Sequence, residues 1–233
     1  MIYAGTSGFA YPSWKPAFYP EKLPASKFLE HYASRLNSVE INYTFRRLPA
    51  ATTLKNWVEA TPAGFVFALK AHMRITHILR LKNAAEFTEA FLKAIDPLRP
   101  ARRLGPVLFQ LPPAMRRDTA ALGDFLGLLP GDLRFTFEFR HNSWFDDAVY
   151  ELLKSRNVSL CAAESEKLET PAVMTADFVY SRLRKESYTP EERAAIRDAA
   201  REMEAAGRDV YLYFKHEETA DGALYAEEAL TGG

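Results

Sequence analysis

The chain has a single cysteine, Cys161. That excludes an internal disulfide and points to a reducing compartment. No surplus of one charge is present, because thirty basic residues balance thirty acidic ones. No global field therefore draws in nucleic acid or an anionic membrane, and any charged ligand has to be held by a local cluster. No apolar run approaches the roughly 18–20 residues of a membrane span. The opening stretch MIYAGTSGFAYPSW lacks the basic start and apolar run of a signal peptide. A cytoplasmic protein is the expectation. Also missing are a Gly-x-Gly-x-x-Gly after the first strand, a Gly-x-Ser-x-Gly around Ser7, and any His, Cys or carboxylate spacing of a metal site. No metal, redox cofactor or serine nucleophile is expected, and the sequence implies no cofactor of any kind.

What the chain does have is core: 48% of its 233 residues are hydrophobic, enough for one large domain over residues 1–233. Eight short β-rich runs recur, at 2–6, 38–44, 65–71, 106–112, 134–140, 158–164, 178–184 and 209–216. Most are apolar on both faces, as covered parallel strands are. Helical patterns separate them, among them TPEERAAIRDAAREMEAAG with a Thr-Pro start and a Gly stop. The exception is SEKLETPAVMTAD after the sixth run, whose helix should be absent or one turn. This pattern predicts an α/β fold, a closed (β/α)8 TIM-like barrel with the helix after strand 6 short or missing.

Alternation of side chains says which residues enter the barrel. In FTFEFR the phenylalanines share one face and should meet the helices, so Thr136, Glu138 and Arg140 point inward. The same parity sends inward Ala4 and Thr6, Glu40 and Asn42, Ala68 and Lys70, and Leu108 and Gln110. It adds Ala162 and Glu164, Tyr180 and Arg182, and Tyr211, Tyr213 and Lys215. Every strand then ends in a polar residue at the C-terminal rim, where barrels of this kind place their sites. Structural ion pairs could explain any one of them. Eight converging ends point to a pocket, because buried charge is costly unless paired.

Five stretches, GTSGFAYPSWKPAFYP, VEINYTFRRLP, KAHMRITH, LGPVLFQLPP and FEFRHNSW, resemble the DUF72 (YecE-like) family, in order, from residue 2 to about residue 230. The resemblance implies a TIM-like barrel and supplies no reaction. The family pattern matches at Thr6, Glu40, Asn42, Lys70, His77, Gln110, Glu138, Arg140, His141, Trp144 and Arg182. It is departed from after strand 7, where RLRK stands in place of Arg-x-His-Gly. It is departed from again after strand 8, where Phe214, Lys215 and His216 stand in place of Phe-Asn-Asn.

Chemistry is assigned to the rim. Glu40 and Glu138, expected to oppose each other across the mouth, are candidates for acid and base, as in glycoside hydrolysis; alternatively Glu138 is clamped by Arg140 or Lys70 and is a poor acid. Lys70 is either a Schiff-base amine or an ammonium paired to Glu40. Thr6, Asn42, Gln110, Arg140, His141, Trp14, Trp144, Arg182 and Tyr213 are candidate substrate contacts. Trp14 and Trp144 would stack on a sugar or base, or else pack a Pro-stiffened loop. Arg184, Lys185 and a Gly at the start of the last helix add a weak phosphate-site signal. His72, His77 and His141 are rim residues, with a proton shuttle near Glu138 or a loop cap as their roles. His31, Trp57 and an outward His216 are set aside, and Cys161 is read as an inert thiol facing the helices. The expectation is an enzyme of hydrolase, lyase or isomerase type acting on a small polar or anionic substrate, sugar- or phosphate-containing in one reading. The competing readings are a non-catalytic nucleotide or nucleic-acid binding module, against which the neutral charge counts, and a rim of structural ion pairs alone.

Overall fold

The computed structural model describes residues 1–164, 168–215 and 218–231; His216 lies outside them. Strands β1 (Ile2–Thr6), β2 (Ser38–Ile41), β3 (Val66–Lys70), β4 (Leu104–Gln110), β5 (Phe135–Glu138), β6 (Ser159–Leu160), β7 (Ala162–Ala163), β8 (Phe178–Leu183) and β9 (Asp209–Phe214) are all parallel to their neighbours. Helices α1 (Phe28–Arg35), α2 (Ala51–Glu59), α3 (Ala85–Ile95), α4 (Thr119–Gly127), α5 (Asp147–Ser155), α6 (Pro190–Ala205) and α7 (Asp221–Thr231) cross between them. Local chemistry sets their starts. Asp118 and Asp146 cap α4 and α5, and α6 opens with a capping box between Thr189 and Glu192 and Pro190 in its first turn. The connection from β7 to β8 has no helix among its described residues, as its Pro and weak period predict.

The strands form two parallel sheets, β2-β3-β4-β5-β6 and β1-β9-β8-β7. The predicted sixth strand is split. Leu160 pairs in the first sheet and Ala162 in the second, and Cys161 carries the chain from one to the other. The other seam, between β1 and β2, is closed largely by side chains. Asn37 accepts from the Ala4 N–H and donates to the Ile2 carbonyl, at 2.9 and 2.8 Å. The Tyr32 hydroxyl, from α1, accepts from the Thr6 N–H at 2.8 Å and donates to the Ser38 carbonyl at 3.0 Å. Beyond it Ser7 bridges to Glu40 and the Gly8 N–H donates to the Glu40 carbonyl. The result is a TIM-like ring whose ladder is interrupted at two places.

Two apolar layers fill it. Outside the strands, Phe109 stacks on Phe137 at 5.1 Å and meets Phe125 of α4 edge-on. Inside, Val66, Ala68, Leu108, Cys161, Phe178, Tyr180, Tyr211 and Tyr213 form a separate buried cluster. The parity reading holds for β2 to β5, β8 and β9 and fails twice. In β1, Gly5 is in register with the inward Tyr213 and Thr6 with Phe214, so Tyr3, Gly5 and Ser7 face the interior while Ala4 and Thr6 face the helices. In β6 and β7, Ser159 is in register with the inward Thr136 and Ala163 with Arg182. The interior therefore receives Cys161 rather than Ala162 and Glu164. Both runs, AGTS and LCAAE, lack the contrast in side-chain bulk that makes a face readable.

Candidate functional site

Arg182, near the end of β8, is buried at 3% exposure. Its guanidinium donates from Nη2 to Glu40 Oε1 at 2.7 Å and from Nη1 to Glu138 Oε2 at 2.6 Å. Glu40 and Glu138 come from β2 and β5 of one sheet and Arg182 from the other, so one side chain ties the sheets together. The two carboxylates do not face each other across an open gap; they share a cation. Each is also saturated by neutral or further charged donors. Glu40 accepts from Ser7 Oγ and the Tyr180 hydroxyl, both at 2.7 Å. Glu138 accepts from Gln110 Nε2 at 2.9 Å, Arg140 Nε at 2.8 Å and Arg184 Nη2 at 3.4 Å.

The titration behaviour follows. Burial pushes Glu138 up, but Arg182 and Arg140 outweigh it and hold the carboxyl below its ordinary range. Glu138 is clamped by Arg140 and by Arg182 as well; Lys70 reaches it through Gln110 rather than by a direct ion pair. Burial lowers Arg182, and the pull of Glu40 and Glu138 more than reverses it. Tyr180 is raised well above an ordinary phenol, by burial and then by Glu40.

Lys70, at the end of β3, forms no ion pair with Glu40 or any other carboxylate among the described residues. Its Nζ donates to Gln110 Oε1 at 2.7 Å and lies 4.2 Å from the centre of the Phe45 ring. Gln110 is fixed in that orientation because its amide nitrogen is bound to Glu138. Burial, followed by repulsion from Arg182, lowers the Lys70 ammonium to about 8. His77 sits beside it on a π-helical turn, Arg74–Ile78, edge-on to Phe45 at 5.0 Å. Its imidazolium is disfavoured by burial and then by Lys70 and Arg140. Insertions of this kind recur at functional sites.

Asn42 joins the cluster, with Nδ2 3.4 Å from Glu40 Oε1 and a buried Oδ1 that has no partner among the described residues. Other expected contacts are placed elsewhere. Thr6 faces outward, its hydroxyl bound to the Gly8 carbonyl and Tyr32. Tyr213 lies inside the ring, fully buried, with its hydroxyl 2.7 Å from Ser38 Oγ. Trp14 is fully buried among Tyr11, Phe18 and Tyr19. Trp144 is fully buried, stacked on Phe139 at 4.8 Å, with its indole N–H on the Met115 carbonyl. Neither indole face is open to a ligand; both pack loops. His141 Nδ1 accepts from the Ser143 N–H and so caps a short turn.

The sequence reading missed Ser7, which it weighed only as a nucleophile, and Phe45, which lies beyond the strand run. Cys161 is buried, as expected, but faces the interior rather than the helices, where burial and then Glu138 push its thiol up. No group of three or more His, Cys, Asp or Glu among the described residues could hold a metal ion. No helix among them is long and apolar enough to cross a membrane.

A cleft of about 1660 Å³ opens beside the cluster, not over it. Arg140 and Arg184 line both. Lys185, Lys215 and Glu164 add charge to its wall, and Ala162 of β7 and Ser181 of β8 line it as well. Glu164 is engaged by the backbone N–H groups of Arg184 and Lys185 and by the Tyr188 hydroxyl. The polar cluster, rather than the size of the cleft, marks the site, because it gathers the buried perturbed groups Lys70, Glu138 and Arg182.

Comparison with known proteins gives a consistent family. The UPF0759 protein YecE of Escherichia coli strain K12 is 34% identical over 159 residues, 68% of this chain and 55% of that protein. The UPF0759 protein YunF of Bacillus subtilis is 31% identical over 157 residues, 65% of this chain and 55% of that protein. The match thus spans about half the length of these curated relatives. A crystal structure of a DUF72 family protein from Thermotoga maritima superposes with a TM-score of 0.87 at 27% identity, covering 98% of this chain and 97% of that one. The family model described as "Protein of unknown function DUF72" matches residues 3–231, and the chain belongs to that family.

Proposed function

We propose that the mouth of the ring is the active site of an enzyme acting on a small polar substrate through its anionic group. One observation carries this reading. Among the described residues Arg140, Arg182 and Arg184 converge on two buried carboxylates, Glu40 and Glu138, with the Lys70 ammonium as a further cation beside them. A surplus of desolvated positive charge favours an anion, and a guanidinium fork suits carboxylate or phosphate. Arg140 is the natural anchor. Its side chain is 34% exposed, and among the described residues only its Nε is engaged.

The roles divide accordingly. Glu40 and Glu138 hold the guanidinium groups in place. Two-carboxylate glycoside hydrolysis needs one carboxyl to arrive protonated, and Glu138 is held in the opposite state. Lys70 is the residue with reactive chemistry, a lyase or isomerase role rather than a hydrolytic one. Gln110 orients its amine. The nucleic-acid reading has the neutral overall charge against it.

The test is a thermal-shift and calorimetric screen of sugar phosphates, nucleotides and organic acids against the wild type and Arg140→Ala. A bound anion should raise the melting temperature of the wild type and bind at least about tenfold more weakly to the variant. If no anion of any class binds and Arg140→Ala only lowers stability, the rim is a set of structural ion pairs and the proposal fails.

A further inference from the structure

Lys70 has a feature that anion binding does not use. Its amine is tethered to a neutral acceptor, while every other cation around it is tied to a carboxylate. The groups that face it are Glu40 from β2, Glu138 from β5 and Arg140 just beyond it, Arg182 from β8, and His77 from the turn after β3. Three of these five are guanidinium groups or an imidazole whose charged form is disfavoured, and the two carboxylates are already occupied by Arg182. The Phe45 ring covers one side of the amine. The residue is half-buried, so part of its side chain remains accessible.

We infer that Lys70 is a nucleophile that condenses with a small aldehyde or ketone carrying an anionic group, forming an imine with Gln110 as its fixed hydrogen-bond acceptor and Arg140 as the anchor of the anion. The step balances without a redox partner. The ammonium first gives up one proton, the free amine nitrogen then bonds to the carbonyl carbon, the carbonyl oxygen leaves as water after taking up that proton and a second one from the nitrogen, and the last proton stays on the iminium nitrogen. The positive charge is conserved, so the electrostatics around Arg182 need no rearrangement. The iminium N–H replaces an ammonium N–H on Gln110 Oε1, and the planar imine lies against Phe45. This inference rests on the anion-binding reading for its substrate class but not for its chemistry.

Free amine is what attacks, and the lowered ammonium makes it available. With a pKa near 8, about a quarter of Lys70 is neutral at pH 7.5, against about one in a thousand for an ordinary lysine. Initial labelling at Lys70 should therefore exceed that at exposed lysines on the order of 100-fold.

The experiment incubates the wild type with glyoxylate or with neutral glycolaldehyde in the presence of cyanoborohydride and maps the reduced adducts by peptide mass spectrometry. The expected result is a carboxymethyl group on Lys70 before any other lysine, formed faster than the hydroxyethyl group from glycolaldehyde. Lys70→Arg should abolish the adduct yet still melt cooperatively. Labelling of Lys70 first but at equal rates with both probes supports the imine and overturns the anion reading. Labels spread over surface lysines, with Lys70 unmodified and the carbonyl-free anion malonate bound by the wild type, overturn the inference and leave the anion reading standing.

Discussion

Replacing Arg182 by methionine is the sharpest perturbation of this structure. The change keeps most of the buried volume and removes the only cation that touches Glu40 among the described residues. Glu138 keeps Arg140 and, at 3.4 Å, Arg184; Glu40 keeps only the Ser7 and Tyr180 hydroxyls and a distant Asn42 amide. Removing one partner of a buried ion pair costs about 3–5 kcal/mol, because the other charge is left unmatched in a low dielectric. For a chain of this size each kcal/mol moves the melting temperature by about 2–4 °C. Arg182→Met should then melt roughly 6–20 °C lower, with the loss confirmed by urea unfolding at neutral pH. The diagnostic arm is the double variant Arg182→Met with Glu40→Gln. Removing the stranded charge should restore part of the stability, although a second buried group has been altered. A loss under about 1 kcal/mol in the single variant, or a purely additive double variant, would refute the claim that Arg182 neutralises two buried carboxylates.

Three further outcomes are expected. Gly5→Ala places a Cβ only 1.9 Å from the Ser38 carbonyl oxygen, so β1 must be pushed off β2. Chemical denaturation should show a loss above about 3 kcal/mol, and a near-neutral result would sink the description of that seam. Tyr32→Phe strands the Thr6 N–H and the Ser38 carbonyl; a loss of about 1–3 kcal/mol is expected, with faster hydrogen exchange at Thr6 as the specific signature. The folded pKa of Glu138 is depressed, so its contribution is complete above the unfolded carboxyl value of roughly 4.3 and is lost as pH falls through the folded value. Glu138→Gln should flatten that acid limb of the stability curve, and an unchanged limb would assign acid unfolding to other carboxylates.

Much of this was legible in the residues. Strands with apolar faces of contrasting bulk, such as FTFEFR and FVFALK, disclose which side chains enter the ring, so Glu40, Lys70, Gln110, Glu138, Arg140 and Arg182 were placed together correctly. The weak crossover after the sixth run could be read from its proline. Parity is not legible in AGTS and LCAAE, where small side chains on both faces hide the inside from the outside; alternation there points Thr6 inward, whereas the registers turn Ser7 and Cys161 to the interior. Pairing was the second gap. Adjacent strands suggested Glu40 with Lys70, but Arg182 reaches across from the other sheet and takes Glu40, which leaves the lysine to an amide. Nor does a tryptophan near a rim announce its burial: Trp14 and Trp144 sit in loops dense in aromatics that pack on one another.

The Tyr32 hydroxyl has a consequence of its own. Two neighbouring strands usually zip through their own backbones, so a sheet can close before its helices arrive. Here the zipper lacks a tooth, and α1 supplies it. Joining the first strand to the second and seating the first helix are thus a single cooperative event. Whatever pries that helix from the wall also loosens this seam.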